Sequence, residues 1–198
     1  EKFDIKEIKK LKHICNDEGI CTICGNKVAT SGLIYKLNED KKSYYVSEYI
    51  GIDIDIIIPA KYDGLYITID GSVTNIENYT FRGCARLVNV TLPNSVTSIK
   101  YGAFSGCIGL TSIEIPNSVT TIESFAFSGC IGLTRVEIPD SVTIIGAFAF
   151  SGCTGLTSIE IPNSVTSIRY FAFSGCTGLT SLEIPASVIN IEDSAFSG

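Results

Sequence analysis

Four residues near the start of the chain have the types and spacing of metal ligands. His13, Cys15, Cys21 and Cys24 lie in the segment KHICNDEGICTICGN, which ends in a CxxC motif followed by Gly25. A CxxC turn allows two thiolates to bind one ion, and a third Cys and a His complete the tetrahedral ligand set of Zn²⁺. Four protein ligands leave no open coordination position for catalysis. The spacing therefore predicts a structural zinc site.

The same cysteines allow two other interpretations. In an oxidising compartment, a disulfide could join Cys24 to Cys21 or to Cys15. The three thiols could also remain free, and the segment would then bind no metal. We treat residues 1–30 as a small N-terminal segment that contains Cys and His, with zinc binding as its candidate property.

Other catalytic groupings lack an essential member. His13 is the only histidine of the chain, so a Ser/His/Asp triad or a Cys/His pair has no separate base. The glycines occur in SGC and GL contexts and not in phosphate-binding loops. The segment before the repeats contains Asp53, Asp55, Asp63 and Asp70. These could form glycosidase carboxylate pairs, but the alternation IDIDI is more typical of the exposed side of a strand. We therefore predict that the protein is not an enzyme.

Charge and hydropathy exclude two classes of partner. The formal net charge is −6 and the isoelectric point is about 4.8. Phosphate backbones are bound by clustered Lys and Arg, and the only dense basic stretch, from Lys6 to Lys12, is interpreted as a solvated helix face beside Glu7, so we predict no nucleic-acid partner. No apolar run approaches the ~20 residues that span a bilayer, so we predict no membrane insertion of this segment.

An internal repeat determines which structural elements must carry any functional surface. Cys, Pro, Phe, Gly and Val residues recur with a period of 23 residues from Ser72 to Gly198. The cysteines on this period are Cys84, Cys107, Cys130, Cys153 and Cys176. The chain stops at Gly198, where the next residue of the unit should be Cys, so we expect the natural chain to continue.

The unit Ser118–Asp140 shows how each copy should fold. In LTRVEIP, apolar and polar residues alternate as in a strand with one buried face, and Pro139 ends that strand. SVTTI predicts a second extended segment, and the residues after it should return to the interior through a loop or short 3₁₀ turn. The side chains predicted to be buried are Val119, Ile122, Phe125, Phe127, Cys130, Leu133, Val136 and Ile138.

One unit of this length cannot bury its own apolar face, so equivalent units must stack into a solenoid. The predicted fold has short parallel strands, little helix, and irregular or 3₁₀ turns on the other side. The repeats occupy 72–198, and residues 31–71 form an N-terminal cap and a first irregular repeat. A cap is required because an open end would expose the apolar faces of the first coil.

The motif LTSIEIPNSVTSIRYFAFSGC, Leu156–Cys176, resembles the BspA-type, or Treponema-type, leucine-rich repeat. The segment Leu33–Asp70 resembles the entry of such arrays, with LIYKLN and YYVSEY as a hairpin. The cysteine segment resembles short ribbon modules ending in GxCxxCG, although those place Cys before His. The resemblance implies bacterial cell-surface or secreted proteins used in adhesion, and it implies no catalytic residues.

The five repeated cysteines are expected to be buried free thiols. Equivalent positions in stacked coils hold parallel Cβ vectors ~4.8 Å apart, whereas a disulfide needs Cβ atoms ~3.8 Å apart and turned toward each other. We therefore predict a ladder of small apolar side chains and no disulfide between the units.

The exposed strand positions form a polar, acidic stripe, which is the candidate binding surface. Its residues are Thr111, Ser112, Glu114, Thr134, Arg135, Glu137, Thr157, Ser158, Glu160, Thr180, Ser181 and Glu183. Protein is the expected partner, and a cationic patch or a divalent ion would relieve repulsion between the glutamates. Arg135, Arg169, Tyr101 and Tyr170 break the near identity of the copies. The alternative is a structural spacer or a targeting domain of a larger secreted protein.

Overall fold

Successive repeat units wind into the predicted solenoid, with about five turns of roughly 23 residues each. The computed structural model describes residues 33–37, 39, 44–50, 55–57, 61–62 and 71–198. Within these ranges the chain forms short strands joined by turns, and it forms no helix. The strands are β1 Leu33–Leu37, β2 Tyr44–Tyr49, β3 Asp55–Ile57, β4 Lys61–Tyr62, β5 Gly71–Ile76, β6 Asn89–Thr91, β7 Ser98–Ile99, β8 Ser112–Glu114, β9 Thr121–Ile122, β10 Arg135–Glu137, β11 Ile144–Ile145, β12 Ser158–Glu160, β13 Ser167–Ile168 and β14 Asn190–Ile191.

One side of the solenoid, which we call sheet A, contains five parallel strands in the order β3-β6-β8-β10-β12. Each strand comes from the LTRVEIP segment or its equivalent. Val136 is buried between the exposed Arg135 and Glu137, and β6, β8 and β12 repeat this pattern. The predicted alternation is therefore confirmed.

The second side, sheet B, is built from the SVTTI segments. Its order is β1-β2-β5-β7-β9-β11-β13-β14, and all neighbours from β2 onward are parallel. The hairpin β1–β2 is antiparallel, as is the pairing of β4 with β5. The third side consists of turns that connect sheet B to sheet A.

The turns on the third side are also hydrogen-bonded between coils. The N–H groups of Phe125 and Phe127 donate to the carbonyls of Ala147 and Ala149 in the next coil. The N–H groups of Ala126 and Ser128 bond to carbonyls three residues earlier in their own turn. Backbone donors therefore alternate between local turns and the neighbouring coil, so this side is satisfied without a strand.

The core is a set of ladders that run along the solenoid. The rings of Phe104 and Phe127 stack with centroids 5.4 Å apart and an interplanar angle of 1°. The same stacking continues from Phe81 to Phe196 through Phe150 and Phe173. Each unit thus covers the ring of the previous one, which no single unit could do.

The repeated cysteines form the free-thiol ladder that the sequence predicts. All five are free, and every one except the half-buried Cys84 is buried. Their thiols also donate hydrogen bonds across the stack: the Cys130 Sγ lies 3.2 Å from the Phe104 carbonyl oxygen, and Cys153 repeats this contact with Phe127. The cysteines are therefore weak donors that link units, and not only apolar fillers.

The hairpin β1–β2 covers the first regular coil. Val46 is buried, and its carbonyl accepts hydrogen bonds from the Glu77 N–H at 2.9 Å and the Thr80 hydroxyl at 3.0 Å. The ring of Tyr49 lies 5.5 Å from that of Phe81 and starts the phenylalanine ladder. The hairpin cap expected from LIYKLN and YYVSEY is present.

Two expectations about the units are wrong. Phe125 was expected in the interior, but its positive φ of 61° turns the side chain outward, where it is half-buried. Residues 180–183 were expected to form a strand of the stripe, but sheet A ends at β12. Leu182, which lies in this segment, is only partly buried, because among the described residues a coil packs against just one side of the segment.

Candidate functional site

The exposed face of sheet A places three of the four predicted polar sets side by side. The in-register pairing of β8, β10 and β12 puts Glu137 directly between Glu114 and Glu160. We call these three residues the acidic row. Two residues earlier on the same exposed face, Arg135 lies between Ser112 and Ser158. The fourth set, Thr180, Ser181 and Glu183, is exposed but lies outside the sheet.

The acidic row borders an open groove of about 700 Å³. The groove is also lined by a row of amide and carboxyl residues, each of which directly follows one of four repeated prolines. This row consists of Asn94, Asn117, Asp140 and Asn163. Sequence reasoning missed it, although a polar residue directly follows the proline in four successive copies, as LPN, IPN, IPD and IPN.

The groove has an excess of negative charge. Four carboxylates, those of the acidic row and of Asp140, face one guanidinium. The Arg135 Nη2 lies 2.6 Å from the Glu137 Oε1 on the same strand, so the one cation among the described residues that line the groove is paired internally. The side chains of Arg135 and Glu137 are 70% and 71% exposed, so water and salt screen this ion pair strongly.

Charged residues that directly follow the strands of sheet B form ion pairs between units. Lys100 Nζ lies 3.2 Å from the Glu123 Oε1, and Arg169 Nη1 lies 2.5 Å from the Glu192 Oε1. Each of these pairs joins neighbouring units. The departure of Arg169 from the repeat is therefore explained by its ion pair with Glu192. Because this guanidinium is already paired within the solenoid, it is a weaker candidate for binding a partner.

An aromatic ladder runs along the corner between sheet B and the turns. Phe125 and Phe148 stack with centroids 4.6 Å apart, and Phe171 continues the stack at 4.8 Å. In the unit that has Gly102 at this position, the ring is supplied by Tyr101, which lies 5.2 Å from Phe125. The two residues compensate for each other, which explains why Tyr101 departs from the repeat. Tyr170 is 48% exposed and takes no part in the stack.

The predicted metal ligands and most of the clustered aspartates lie outside the described residues. These are His13, Cys15, Cys21 and Cys24, with Asp53, Asp63 and Asp70. Asp55 is on β3 at the edge of sheet A. Among the described residues, no group of three or more His, Cys, Asp or Glu is arranged to bind a metal ion.

The repeat geometry matches a known family. The family model described as "BspA type Leucine rich repeat region" matches residues 65–139 and 122–198, with six copies. The chain belongs to the BspA-type leucine-rich repeat family. Leucine-rich repeat domains of this kind are generally protein-interaction modules. No curated protein gives a significant match to this chain.

Solved bacterial structures share this leucine-rich repeat fold. A Treponema pallidum leucine-rich repeat protein is 28% identical with a TM-score of 0.72, over 84% of this chain and 86% of that one. A Bacteroides ovatus leucine-rich repeat protein is 26% identical, with a TM-score of 0.66 over 87% of this chain. A leucine-rich cell surface protein of Faecalibacterium prausnitzii is 30% identical, with a TM-score of 0.62 over 85% of this chain. This chain covers 51% of each of the last two.

The described part of this leucine-rich repeat chain contains no helix that is long and apolar enough to cross a membrane. The fold presents an ordered surface, in which the exposed side chains of sheet A are held one strand apart above a buried core.

Proposed function

We propose that the chain is a noncatalytic interaction module of a cell-surface or secreted protein, used in adhesion or host interaction, and that it binds a protein partner through sheet A. The observation that carries this proposal is the groove on sheet A, with its acidic row in register over three strands. A rigid sheet positions such side chains more precisely than loops do, as a recognition surface requires. The similarity to a leucine-rich cell surface protein of Faecalibacterium prausnitzii supports the location.

A binding experiment with matched variants tests the proposal. Fluorescently labelled protein is incubated with intact host epithelial cells and with cells of the organism that produces it. Ser112→Arg together with Ser158→Arg adds bulk and charge at two sites of sheet A that are two units apart. Thr120→Arg together with Thr166→Arg makes a comparable change, also two units apart, on exposed residues beside sheet B.

Saturable binding that only the sheet A variant loses is the expected result. Equal loss in both variants, with unchanged melting temperatures, would place the contact elsewhere on the module. No saturable binding to either cell type would favour the alternative of a spacer or targeting domain.

We also propose that His13, Cys15, Cys21 and Cys24 bind a structural zinc ion, because the CxxC spacing suits two thiolates of a tetrahedral site. The test is the metal content of protein purified without chelator, by mass spectrometry, together with a thiol titration in denaturant. About one zinc ion per chain, with all 8 cysteines titratable, is expected. Absence of metal with two thiols missing would identify a disulfide instead.

A further inference from the structure

Four hydroxyl groups beside the acidic row donate hydrogen bonds within the solenoid. The Thr134 hydroxyl donates to the Thr111 carbonyl at 3.2 Å, and the Thr157 hydroxyl donates to the Thr134 carbonyl at 3.3 Å. Thr111 makes the same contact with the Val88 carbonyl. On β8, the Ser112 hydroxyl lies 3.4 Å from the Asn89 side-chain oxygen. These four donors are used within the solenoid, so the carboxylates of the acidic row, which only accept hydrogen bonds, dominate what this part of the face offers a partner.

The charges of the groove are biased in the same direction. Within the described residues, Glu114 and Glu160 have no ion-pair partner, whereas Glu137 is paired with Arg135. A partner for this face must therefore bring hydrogen-bond donors and positive charge. Lys and Arg side chains have both properties. The hydrogen bonds already made on this face and its negative charge therefore indicate the same class of partner.

The spacing of the two unpaired carboxylates adds a geometric requirement. Glu114 and Glu160 are two strands apart, which corresponds to about 9.6 Å at ~4.8 Å per strand. In a polyproline II helix, residues i and i+3 lie on one face and are separated by ~9.3 Å. An extended segment that runs along the groove would thus place two cationic side chains opposite these two carboxylates.

We propose that the groove on sheet A binds an extended, proline-containing protein segment that carries Lys or Arg at positions i and i+3. Glu114 and Glu160 bind the two cations, and the side-chain amides of Asn94, Asn117 and Asn163 donate hydrogen bonds to carbonyls of the peptide backbone. The paired Arg135 limits the charge at the centre of the face. This inference rests on the proposed function, because it names the partner of the same surface.

The test uses the full chain and two synthetic peptides of equal composition. The probe is Lys-Pro-Pro-Lys-Pro-Pro-Lys, and the control peptide has its three lysines adjacent at one end. Isothermal titration calorimetry at low salt should show binding of the probe, weaker binding of the control peptide, and loss of affinity as sodium chloride is added. Equal affinity for both peptides would contradict the required spacing.

Three variants assign the binding to individual side chains. Glu114→Gln together with Glu160→Gln should weaken probe binding about tenfold, since two exposed ion pairs are lost. Arg135→Ser restores the serine of the neighbouring units and releases Glu137, so affinity should rise about threefold. Glu77→Gln together with Glu123→Gln removes the same charge at the same two-unit separation beside sheet B and should leave binding unchanged.

The outcomes separate this inference from the proposed function. If the probe does not bind, but cell binding remains sensitive to Ser112→Arg and Ser158→Arg, only the partner class is wrong. If calcium alone raises the melting temperature, the Glu114 and Glu160 variant abolishes that rise and the probe does not bind, the row is a divalent-cation site and the peptide proposal is overturned. If cell binding is also insensitive to the sheet A variant, both proposals fail.

Discussion

At the scale of single residues, Gly132 shows how closely successive units approach. A Cβ atom at this position would lie 2.6 Å from the Ile108 carbonyl oxygen, and at Gly109 it would lie 2.5 Å from the Ala85 carbonyl oxygen. Both contacts are with backbone, which cannot move aside without disturbing the stack. The glycine of each GL motif is therefore required by the coil below it, and not by its own backbone conformation.

We expect Gly132→Ala to destabilise the protein by roughly 2–3 kcal/mol, because the new methyl group must displace backbone of the preceding unit. Arg86 occupies the equivalent place one unit before Gly109, where a large side chain is tolerated and exposed. Arg86→Ala is the matched control and should change stability by less than about 0.5 kcal/mol. Urea unfolding of the two variants measures the difference, and similar losses for both would contradict the steric explanation.

Close packing between units also buries the repeated thiols, and we expect this burial to make them unreactive. Burial raises the pKa of Cys107 and of Cys153 to about 12, and that of Cys176 to about 11, from an ordinary value of 9.0. Burial likewise raises the pKa of Cys130, and the neighbouring thiols add to the effect. A thiolate is the reactive form, so these cysteines should resist alkylation and oxidation as long as the solenoid is folded.

The raised pKa values predict how stability depends on pH. Above about pH 9 the unfolded chain loses thiol protons that the folded chain keeps until about pH 12, so the free energy of unfolding should fall across this interval. Below pH 9 both states are protonated and this contribution is constant. Urea unfolding at pH 8 and at pH 10.5 tests the prediction. Cys153→Ala should make the fall smaller, and an unchanged slope in that variant would count against the thiols as its origin.

At the scale of elements, the outer aromatic ladder is a packing unit of its own. Aromatic residues occupy a left-handed position at φ values between 56° and 61°, although such values are unfavourable for bulky residues. They do so at Tyr79, Phe125, Phe148 and Phe171. Ring stacking between coils offsets this cost, and Tyr101 keeps the stack continuous in the unit that has Gly102.

We expect Tyr101→Ser to destabilise the protein by about 1–2 kcal/mol, because it removes ring contacts with Tyr79 and Phe125. Adding Gly102→Phe should recover most of this loss once the Tyr79 ring turns aside, because a Cβ atom at Gly102 would lie 2.8 Å from that ring and the pair would then match Ser124 and Phe125 of the next unit. Thermal unfolding of the single and double variants measures the coupling. Losses that simply add in the double variant would show that the two positions do not compensate for each other.

At the scale of the whole molecule, stability comes from contacts between neighbouring units. Strand pairing, ring stacking and thiol hydrogen bonds all connect residues about one unit apart, so each unit contributes its own folding term and one interface term. The hairpin β1–β2 covers one end of the stack, because its own Val46 and Tyr49 are buried against the first regular coil. Removing a unit should therefore shorten the solenoid without changing its structure.

Deletion of the complete unit Ser118–Asp140 should leave a folded protein, because Asn117 then continues into Ser141 with the ladders in register. Circular dichroism should keep the β-type spectrum of the parent, and the melting temperature should fall by only several degrees. The half-unit deletion Gly129–Asp140 is the control, since it removes β10 but keeps β9 and so breaks sheet A. Cooperative unfolding of the control at the parent temperature would contradict this nearest-neighbour description.

The sequence was sufficient to predict the architecture because the repeat applies one local rule many times. Alternation in LTRVEIP defined the strands of sheet A, the repeated Pro defined their ends, and the ladder of equivalent cysteines followed from stacking alone. It did not predict the outward side chain of Phe125, because that depends on a left-handed backbone conformation stabilised by the ring of the next coil. Nor did it predict that residues 180–183 lie outside sheet A.

The candidate site was predicted only in part. The exposure of Glu114, Glu137 and Glu160 follows from strand periodicity, which a sequence displays directly. Only the tertiary structure decided which of these carboxylates is paired, because Arg135 bonds to a residue of its own strand, while Arg169 bonds across to the next unit. The direction of each threonine hydroxyl was decided in the same way, since its acceptor lies one whole unit away. Periodicity determines the side of a residue, and packing between units determines its partners.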